Sequence, residues 1–331
     1  MKNVTSTNGV GATPKRSGLR TWLLTLFSLA LIGAFIYYLY ANTDKYLSLL
    51  RLSPLPLALI FMLSLTTPFL NGSINTLMYR GLGTDLSRQE GFLLAAASSL
   101  ANQLPVSGGV VTKAYYLKRM HGLSYTKYIS SMLAIFFCTI ATYGLLGLTI
   151  LISWVLLDNM RVSPVLWVGF GGMALGALIF WLPLERLHIP GTLTTWIQQA
   201  MEGWTLISQN PVLIVKLLAV QTTMMSLLAV RYWLAFHMLS QSVSIGQVIL
   251  FSSGSILTNL VSFAPGGLGV REAIVAGIAS ALGFDAGTSV VAVGLDRLVS
   301  TLVIMLVGWI STVLLGKKIA EGPAETVELE R

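Results

Sequence analysis

Four charged side chains interrupt the most apolar part of the sequence. Arg271 and Glu272 directly follow a break of one proline and three glycines, and Asp296 and Arg297 lie inside the last apolar run. Ionisable groups at membrane depth are costly, so they usually face a polar cavity, a partner charge or a ligand. Guanidinium groups bind carboxylates and phosphates through two parallel hydrogen bonds. These residue types could therefore bind an anionic headgroup.

The break before Arg271 has a counterpart about half a chain earlier. "PGGLGV" starts at Pro265 and "PVSGGV" at Pro105, with Gly109 in the place of Gly269. An asparagine lies upstream of each break, and further glycines lie within the breaks (Asn102, Asn259, Gly108, Gly266 and Gly267). Broken hydrophobic segments at matching positions in two halves are typical of transporters built as inverted repeats. The alternative is that each break is an ordinary turn between two full spans.

Each break also creates the start of a new helix. Proline and glycine end one helix, and the first N–H groups of the next helix lack partners and carry partial positive charge. Such a helix start is an anion site. Lys113 and Arg271 are expected in the first turns of the two following helices, where they would add full positive charge. A phospholipid or polyprenyl phosphate headgroup would fit there.

Several of these charges have a second interpretation. Glu272 in a first turn would offset the helix dipole and pair with Arg271, which we favour over direct contact with a ligand. Asp296 and Arg297 are about 100° apart around a helix, so they need not pair with each other. Either Arg297 holds the headgroup while Asp296 pairs with Arg271, or the charges form a buried structural ion pair. Arg231, flanked by two aromatic residues, is expected to snorkel to the membrane interface.

The elements that position these residues are membrane helices. Of the 331 residues, 54% are hydrophobic and only 10% are charged, whereas soluble domains are about 25% charged. We therefore predict an all-α polytopic membrane protein, with a transmembrane domain over 21–316 between cytoplasmic tails at 1–20 and 317–331. Full spans are expected at six apolar runs (21–41, 54–79, 128–157, 164–184, 211–239 and 288–316), and an amphipathic interfacial helix at 190–209.

Two segments, 91–125 and 246–283, each contain two short apolar arms around a break and are predicted to be re-entrant hairpins. If only the six runs cross, lysines and arginines concentrate on one side, as the positive-inside rule requires. Both termini then lie in the cytoplasm, and the hairpins enter the inner membrane from opposite sides as an inverted repeat. The net charge of +8 is explained by this topology and by anionic lipid, which argues against nucleic acid as a partner.

Signals for catalysis are absent from the sequence. The three histidines are far apart and Cys138 is the single cysteine, so no metal site is expected. The sequence contains no Walker A, H-E-x-x-H or G-x-S-x-G motif, and the glycines of "GGLGVRE" do not follow a strand as a dinucleotide site requires. We expect neither enzymatic activity nor a cofactor.

"PGGLGVRE" at 265–272, the looser "PVSGG" at 105–109 and an arginine in the last span together resemble a known family. The chain looks like the lysylphosphatidylglycerol synthase transmembrane family, or flippase-like domain proteins, which include the membrane half of the multiple peptide resistance factor. The resemblance covers most of 20–316. It implies lipid translocation, with substrates that include aminoacylated phospholipids, while some relatives are tied to polyprenyl-linked glycans. By the motifs it implies roles for Asn102, Pro105, Gly108, Gly109, Pro265, Gly266, Gly267, Gly269, Arg271, Glu272 and Arg297.

The sequence departs from that family in one respect. It ends at residue 331 with no soluble aminoacyltransferase domain, so we do not expect it to synthesise an aminoacyl lipid.

The function that these observations favour is lipid translocation. The chain would act as a flippase or scramblase for an anionic or aminoacylated phospholipid or a polyprenyl-phosphate-linked lipid, with membrane lipids as its partners. The alternative is a non-transporting scaffold for a separate lipid-modifying synthase or glycosyltransferase. An integral enzyme acting on a headgroup is the least favoured reading. Charges retained inside the membrane favour transport over a scaffold.

Overall fold

A computed structural model describes residues 54–103, 108–178, 209–258 and 269–322. Within these ranges the regular secondary structure consists of helices. We number them α1 (Pro54–Gly81), α2 (Arg88–Ala101), α3 (Gly108–His121), α4 (Tyr125–Leu157), α5 (Pro164–Leu178), α6 (Pro211–Met238), α7 (Ile245–Ser255), α8 (Val270–Ala281) and α9 (Ala286–Glu321). The expected all-α membrane architecture is confirmed at this level.

Four of the helices are long and apolar enough to cross a membrane. They are α1, α4, α6 and α9, with 28, 33, 28 and 36 residues. At 1.5 Å per residue even a helix of 28 residues is about 42 Å long, which exceeds the hydrocarbon core of a bilayer. They coincide with four of the six expected spans. α9 continues to Glu321, five residues into the segment assigned from the sequence to the C-terminal tail.

The other expected spans are described in part or not at all. α5 covers the first 15 residues of the run that starts at Pro164. The run 21–41, the tail 1–20 and all but the last residue of the expected interfacial helix 190–209 lie outside the described residues.

Four short helices occupy the two segments that were expected to form hairpins, with α2 starting three residues and α7 one residue before the predicted bounds. α2 and α3 have 14 residues each, and α7 and α8 have 11 and 12. A helix of 14 residues is about 21 Å long, which is too short to cross a bilayer. The order long, short, short, long in α1–α4 recurs in α6–α9.

Matching caps strengthen this repetition. Ser87 begins α2 with a capping box to Glu90, and Ser244 begins α7 with the same box to Gln247. In each box the serine side chain accepts from a backbone N–H three residues on, while the Glu or Gln side chain accepts from the serine N–H. Two orphan donors are thereby satisfied at each helix start.

The pair α2–α3 packs at one end of the bundle. One apolar cluster joins Leu94 of α2 and Leu117 of α3 to Met78 near the end of α1, Leu213 at the start of α6 and Leu315 near the end of α9. These positions place the C-terminal ends of α1 and α9 beside the N-terminal end of α6.

The pair α7–α8 packs at the opposite end. A second cluster joins Phe251 of α7 and Val275 of α8 to Ile60 near the start of α1, Phe236 near the end of α6 and Val293 near the start of α9. The two short pairs therefore approach each other from opposite ends of the same long helices.

α1 and α2 approach closely because small residues meet at their crossing. A Cβ atom built on Gly72 would lie 2.7 Å from the Cα atom of Phe92, and one built on Gly91 would overlap Thr76. Asn75 Nδ2 also donates to the Gly91 carbonyl at 3.3 Å. Small residues that allow close backbone approach are a main means of helix association in membranes.

Gly72→Ala is expected to destabilise the protein, because the new methyl group would meet backbone that cannot move aside. Overpacking of this kind costs about 1–3 kcal/mol, more than the roughly 1 kcal/mol that alanine gains over glycine in a helix. The measurement is the midpoint of thermal unfolding in detergent micelles. The control is Gly172→Ala in α5, where a Cβ meets nothing within 4 Å and the midpoint should rise slightly. Equal shifts in both variants would contradict the close crossing.

Candidate functional site

The tip of the first short pair is closed by Asn102. This residue caps the C-terminal end of α2, and its Oδ1 accepts from the backbone N–H of Gly109 at 2.9 Å. A Cβ atom on Gly109 would overlap both the Ser98 carbonyl and the Asn102 side chain. Asn102 and Gly109 therefore hold the end of α2 against the start of α3.

Lys113 faces a cavity beside this tip. Because α3 begins at Gly108, Lys113 lies in its second turn, and the expectation of a first-turn position is wrong. Its ammonium group lies 3.4 Å from Asn75 Oδ1. The cavity has a volume of about 220 Å³ and is lined by Lys113, Asn102, Gly109 and residues of α1 and α4.

The second short pair reaches the same cavity. Ile256, which caps the C-terminal end of α7, contributes to its wall. Thr139 of α4 lines it as well, and the Thr139 hydroxyl accepts from Gln221 Nε2 of α6 at 2.7 Å. Sequence reasoning missed both of these polar residues, although polar side chains inside the apolar runs of α4 and α6 were a readable signal.

The start of α8 carries the positive end of a helix. Gly269 precedes it with φ of +81°, a conformation that favours glycine, and no side chain among the described residues caps the helix. Arg271 is the second residue of α8, so the predicted first-turn position is confirmed. Its Nε atom is buried and has no hydrogen-bond partner among the residues that the structure describes.

A buried ion pair ties α6 to α9. Arg231 donates from Nε to Asp296 Oδ1 at 2.6 Å and from Nη2 to Oδ2 at 2.8 Å. Asp296 has no exposed surface and Arg231 is 5% exposed. The predicted pairing of Asp296 with Arg271 is therefore wrong, and so is the prediction that Arg231 snorkels to the interface. The rotation of α6 points Arg231 inward, where its charge is neutralised.

A second buried pair ties α8 to α9. Arg297 Nη1 donates to both carboxylate oxygens of Glu272, at 3.0 and 3.2 Å. The expected pairing of Glu272 with Arg271 is replaced by this contact between helices. Asp296 and Arg297 pair with different helices and not with each other, which agrees with the angle of about 100° between them. Because Asp296 neutralises Arg231 and Glu272 neutralises Arg297, Arg271 is the remaining positive charge among these five groups.

The ends of α2, α3 and α9 meet at a third polar cluster, built around Glu90. Its carboxylate accepts from Lys318 at 2.8 Å and Tyr116 at 2.9 Å, and His121 lies 3.4 Å away. Burial by itself raises the pKa of Glu90, but hydrogen bonds from Lys318, Ser87 and Tyr116 outweigh it and lower the pKa to about 2. The ionised carboxylate thus joins the bases of both arms of the first pair to the last helix.

Comparison with protein families gives a match over most of the chain. The family model described as Lysylphosphatidylglycerol synthase TM region matches residues 24–308. The chain belongs to this family. The family inferred from "PGGLGVRE" is thereby confirmed, and membership indicates a role connected with membrane lipids. Searches of curated proteins and of solved structures gave no match.

The site residues predicted from the sequence and from the family motifs fall into two groups in the structure. Asn102, Gly108, Gly109 and Lys113 form or line the first tip, and Gly269, Arg271, Glu272, Asp296 and Arg297 surround the start of α8. Five of the expected site residues lie outside the described residues (Pro105, Asn259, Pro265, Gly266 and Gly267).

Removing one partner of the α6–α9 pair should be more damaging than removing both. Asp296→Leu leaves the Arg231 guanidinium buried without a counter-charge, which costs about 3–5 kcal/mol, whereas paired apolar replacement is often close to neutral. We expect the unfolding midpoint of Asp296→Leu in detergent to fall strongly and that of Arg231→Met/Asp296→Leu to recover most of the loss. A double variant no more stable than the single one would contradict the pairing.

Proposed function

We propose that the protein is a lipid translocase that moves a lipid headgroup through the interior of the helix bundle while the acyl or prenyl tails stay in the bilayer. The substrate would be an anionic or aminoacylated phospholipid or a polyprenyl-phosphate-linked lipid. The role requires neither catalysis nor a cofactor. Membership of the lysylphosphatidylglycerol synthase family supports a lipid substrate.

The observation that carries the proposal is the cavity shared by the two short pairs. They enter the bundle from opposite ends, yet Asn102, Gly109 and Lys113 of the first pair and Ile256 of the second border one space. A headgroup that crosses a bilayer needs a polar place between the two leaflets. Broken helices that meet at the middle of a bundle provide such a place in transporters.

We further propose that the two short pairs are re-entrant hairpins related as an inverted repeat, in an inner membrane with both termini in the cytoplasm. Three observations support this arrangement. The arms are too short to cross a bilayer. The order of long and short helices recurs with matching capping boxes. The short pairs pack at opposite ends of α1, α6 and α9.

The charged residues near the two tips have different roles in the proposed site. Lys113 borders the cavity and Arg271 lies in the first turn of α8, so each could contact an anionic headgroup directly. Arg297 and Glu272 satisfy each other and hold α8 against α9. In this proposal Arg297 positions α8 and with it Arg271, and does not itself hold the headgroup.

Neutralising the two cations should slow translocation without unfolding the protein. In proteoliposomes with fluorescent phosphatidylglycerol, Lys113→Gln and Arg271→Gln should each lower the transbilayer rate by about tenfold, because a hydrogen bond to a charged group contributes about 1.5–3 kcal/mol. The readout is chemical quenching of fluorescence in the outer leaflet. The matched control is Lys216→Gln, which removes an exposed lysine from α6 and should leave the rate unchanged.

Two outcomes would contradict the proposal. If wild-type protein moves neither anionic nor polyprenyl phosphate lipids, the scaffold function is favoured. If the wild type transports lipid and all three variants transport it at the same rate, the protein is a translocase, but Lys113 and Arg271 do not bind the headgroup.

The opposed hairpins predict which side of the membrane the base of each hairpin faces. Cys138 is buried, so single cysteines introduced at exposed positions can be labelled selectively. Gln89→Cys and Arg119→Cys, at the base of the first hairpin, should react with a membrane-impermeant thiol reagent only from the cytoplasm. Ser242→Cys and Ala286→Cys, at the base of the second, should react only from outside. A base whose two cysteines react from different sides would show that the segment crosses the membrane.

A further inference from the structure

α3 separates the Lys113 cavity from a second space on its other side. Val111 and Tyr115 of α3 face Thr312 and Gly316 of α9 across a groove with a volume of about 310 Å³. Val111 is 63% exposed and Tyr115 is 49% exposed. Among the described helices the groove therefore lies on the outer face, where an embedded protein meets lipid, and none of its lining residues borders the Lys113 cavity.

The groove has the shape and chemistry of a slot for one apolar chain. From Thr312 to Ile319 it runs for about 10 Å along α9. A Cβ atom on Gly316 would meet nothing within 4 Å. The missing side chain of Gly316 therefore leaves room beside the wall formed by Leu315 and Ile319.

Ion pairing fixes the width of the groove. The hydroxyl of Tyr116, which lines it, donates to Glu90, and Glu90 also accepts from Lys318 of α9. This shared carboxylate ties α3 to α9 at one end of the groove. The space between the two helices is consequently a defined feature of the fold.

The same end of the groove is strongly basic. The last turn of α3 contains Lys118, Arg119 and His121, and α9 contributes Lys317 and Lys318 near its end. Lys318 pairs with Glu90 and Lys118 lies over the ring of Tyr125, whereas Arg119 and Lys317 are exposed. The carboxylates Glu90 and Glu321 do not balance these charges. An apolar slot that ends at exposed cations is complementary to an amphipathic anion.

We propose that this groove binds one acyl chain of an anionic phospholipid, with the phosphate at Arg119, which lies on the same face of α3 as Val111 and Tyr115. The lipid is a resident one held between α3 and α9, so the proposal does not depend on translocation through the Lys113 cavity. Lipid tails are as apolar as the groove, so an acyl chain alone gains little by leaving the bilayer. The preference of the groove for the anionic lipid over the surrounding lipids therefore comes from the headgroup. Each basic side chain near an anionic lipid contributes about fivefold to that preference.

The first test fills the groove. Gly316→Phe places a ring in the open space, and Leu314→Phe is the matched control, because Leu314 is 45% exposed and does not line the groove. Native mass spectrometry from mixed micelles of phosphatidylglycerol and phosphatidylcholine should show wild type and Leu314→Phe retaining phosphatidylglycerol and Gly316→Phe losing it. Arg119→Gln should lower the preference for phosphatidylglycerol by about fivefold, whereas Lys317→Gln removes an exposed lysine from another face of α9 and should change it less. Equal retention by wild type and Gly316→Phe would overturn the proposal.

The second test uses unaltered protein and so does not depend on the folding of any variant. Phosphatidylglycerol with a photoactivatable diazirine on one acyl chain should cross-link to peptides containing Val111–Tyr116 and Thr312–Ile319, and the phosphatidylcholine analogue should do so about fivefold less. Cross-links spread evenly over all exposed helix faces would overturn the site. A wild-type dimer that Gly316→Phe dissociates would also overturn it, because the groove would then hold a second copy of the chain.

Discussion

The two adjacent ion pairs on α9 are the interaction on which the rest of the structure depends. Asp296 and Arg297 point about 100° apart around the helix, so they reach two different neighbours, Arg231 of α6 and Glu272 of α8. An uncompensated charge in this environment is strongly destabilising. The rotation of α9 is therefore fixed against both partners at once. α8 is too short to span the bilayer, and this contact holds it inside the bundle at a defined depth.

The ends of the short helices also need partners for their backbone groups. Irregular backbone is tolerated at membrane depth only where protein covers it or where it lines a cavity. At the first tip, Asn102 accepts from the N–H of Gly109 and so links the end of α2 to the start of α3. Among the described residues no side chain caps the start of α8, and Arg271 is the second residue of this helix. The first tip is thus held by contacts between its own residues, whereas Arg271 brings a positive charge to the first turn of α8.

Much of this arrangement could be predicted from residue patterns, because length and apolar content indicate a span, and "PGGLGVRE" together with "PVSGG" and an arginine in the last span indicates the family. The ion-pair partners of the charged residues could not be predicted from the sequence, since pairing depends on how neighbouring helices are rotated about their axes. Arg231 lies between apolar and aromatic residues that suit the interface equally well, and only the position of Asp296 shows that it turns inward. A glycine pair is compatible with either a loop or a helix start. Because α3 begins at Gly108, Lys113 lies one turn further into the helix than expected. The capping boxes at Ser87 and Ser244 were readable signals of the repeat.

The charge left over after pairing bears on the class of headgroup. Arg231 and Arg297 are neutralised by carboxylates, which leaves the positive charge of Arg271, and Lys113 adds another at the cavity that the first tip shares. A headgroup carrying one phosphate would offset part of this excess on entering the bundle. An aminoacylated headgroup brings an ammonium group into a region that is already positive, where low dielectric strengthens the repulsion. On charge alone, the proposed site favours an anionic phospholipid or a polyprenyl phosphate over an aminoacylated lipid.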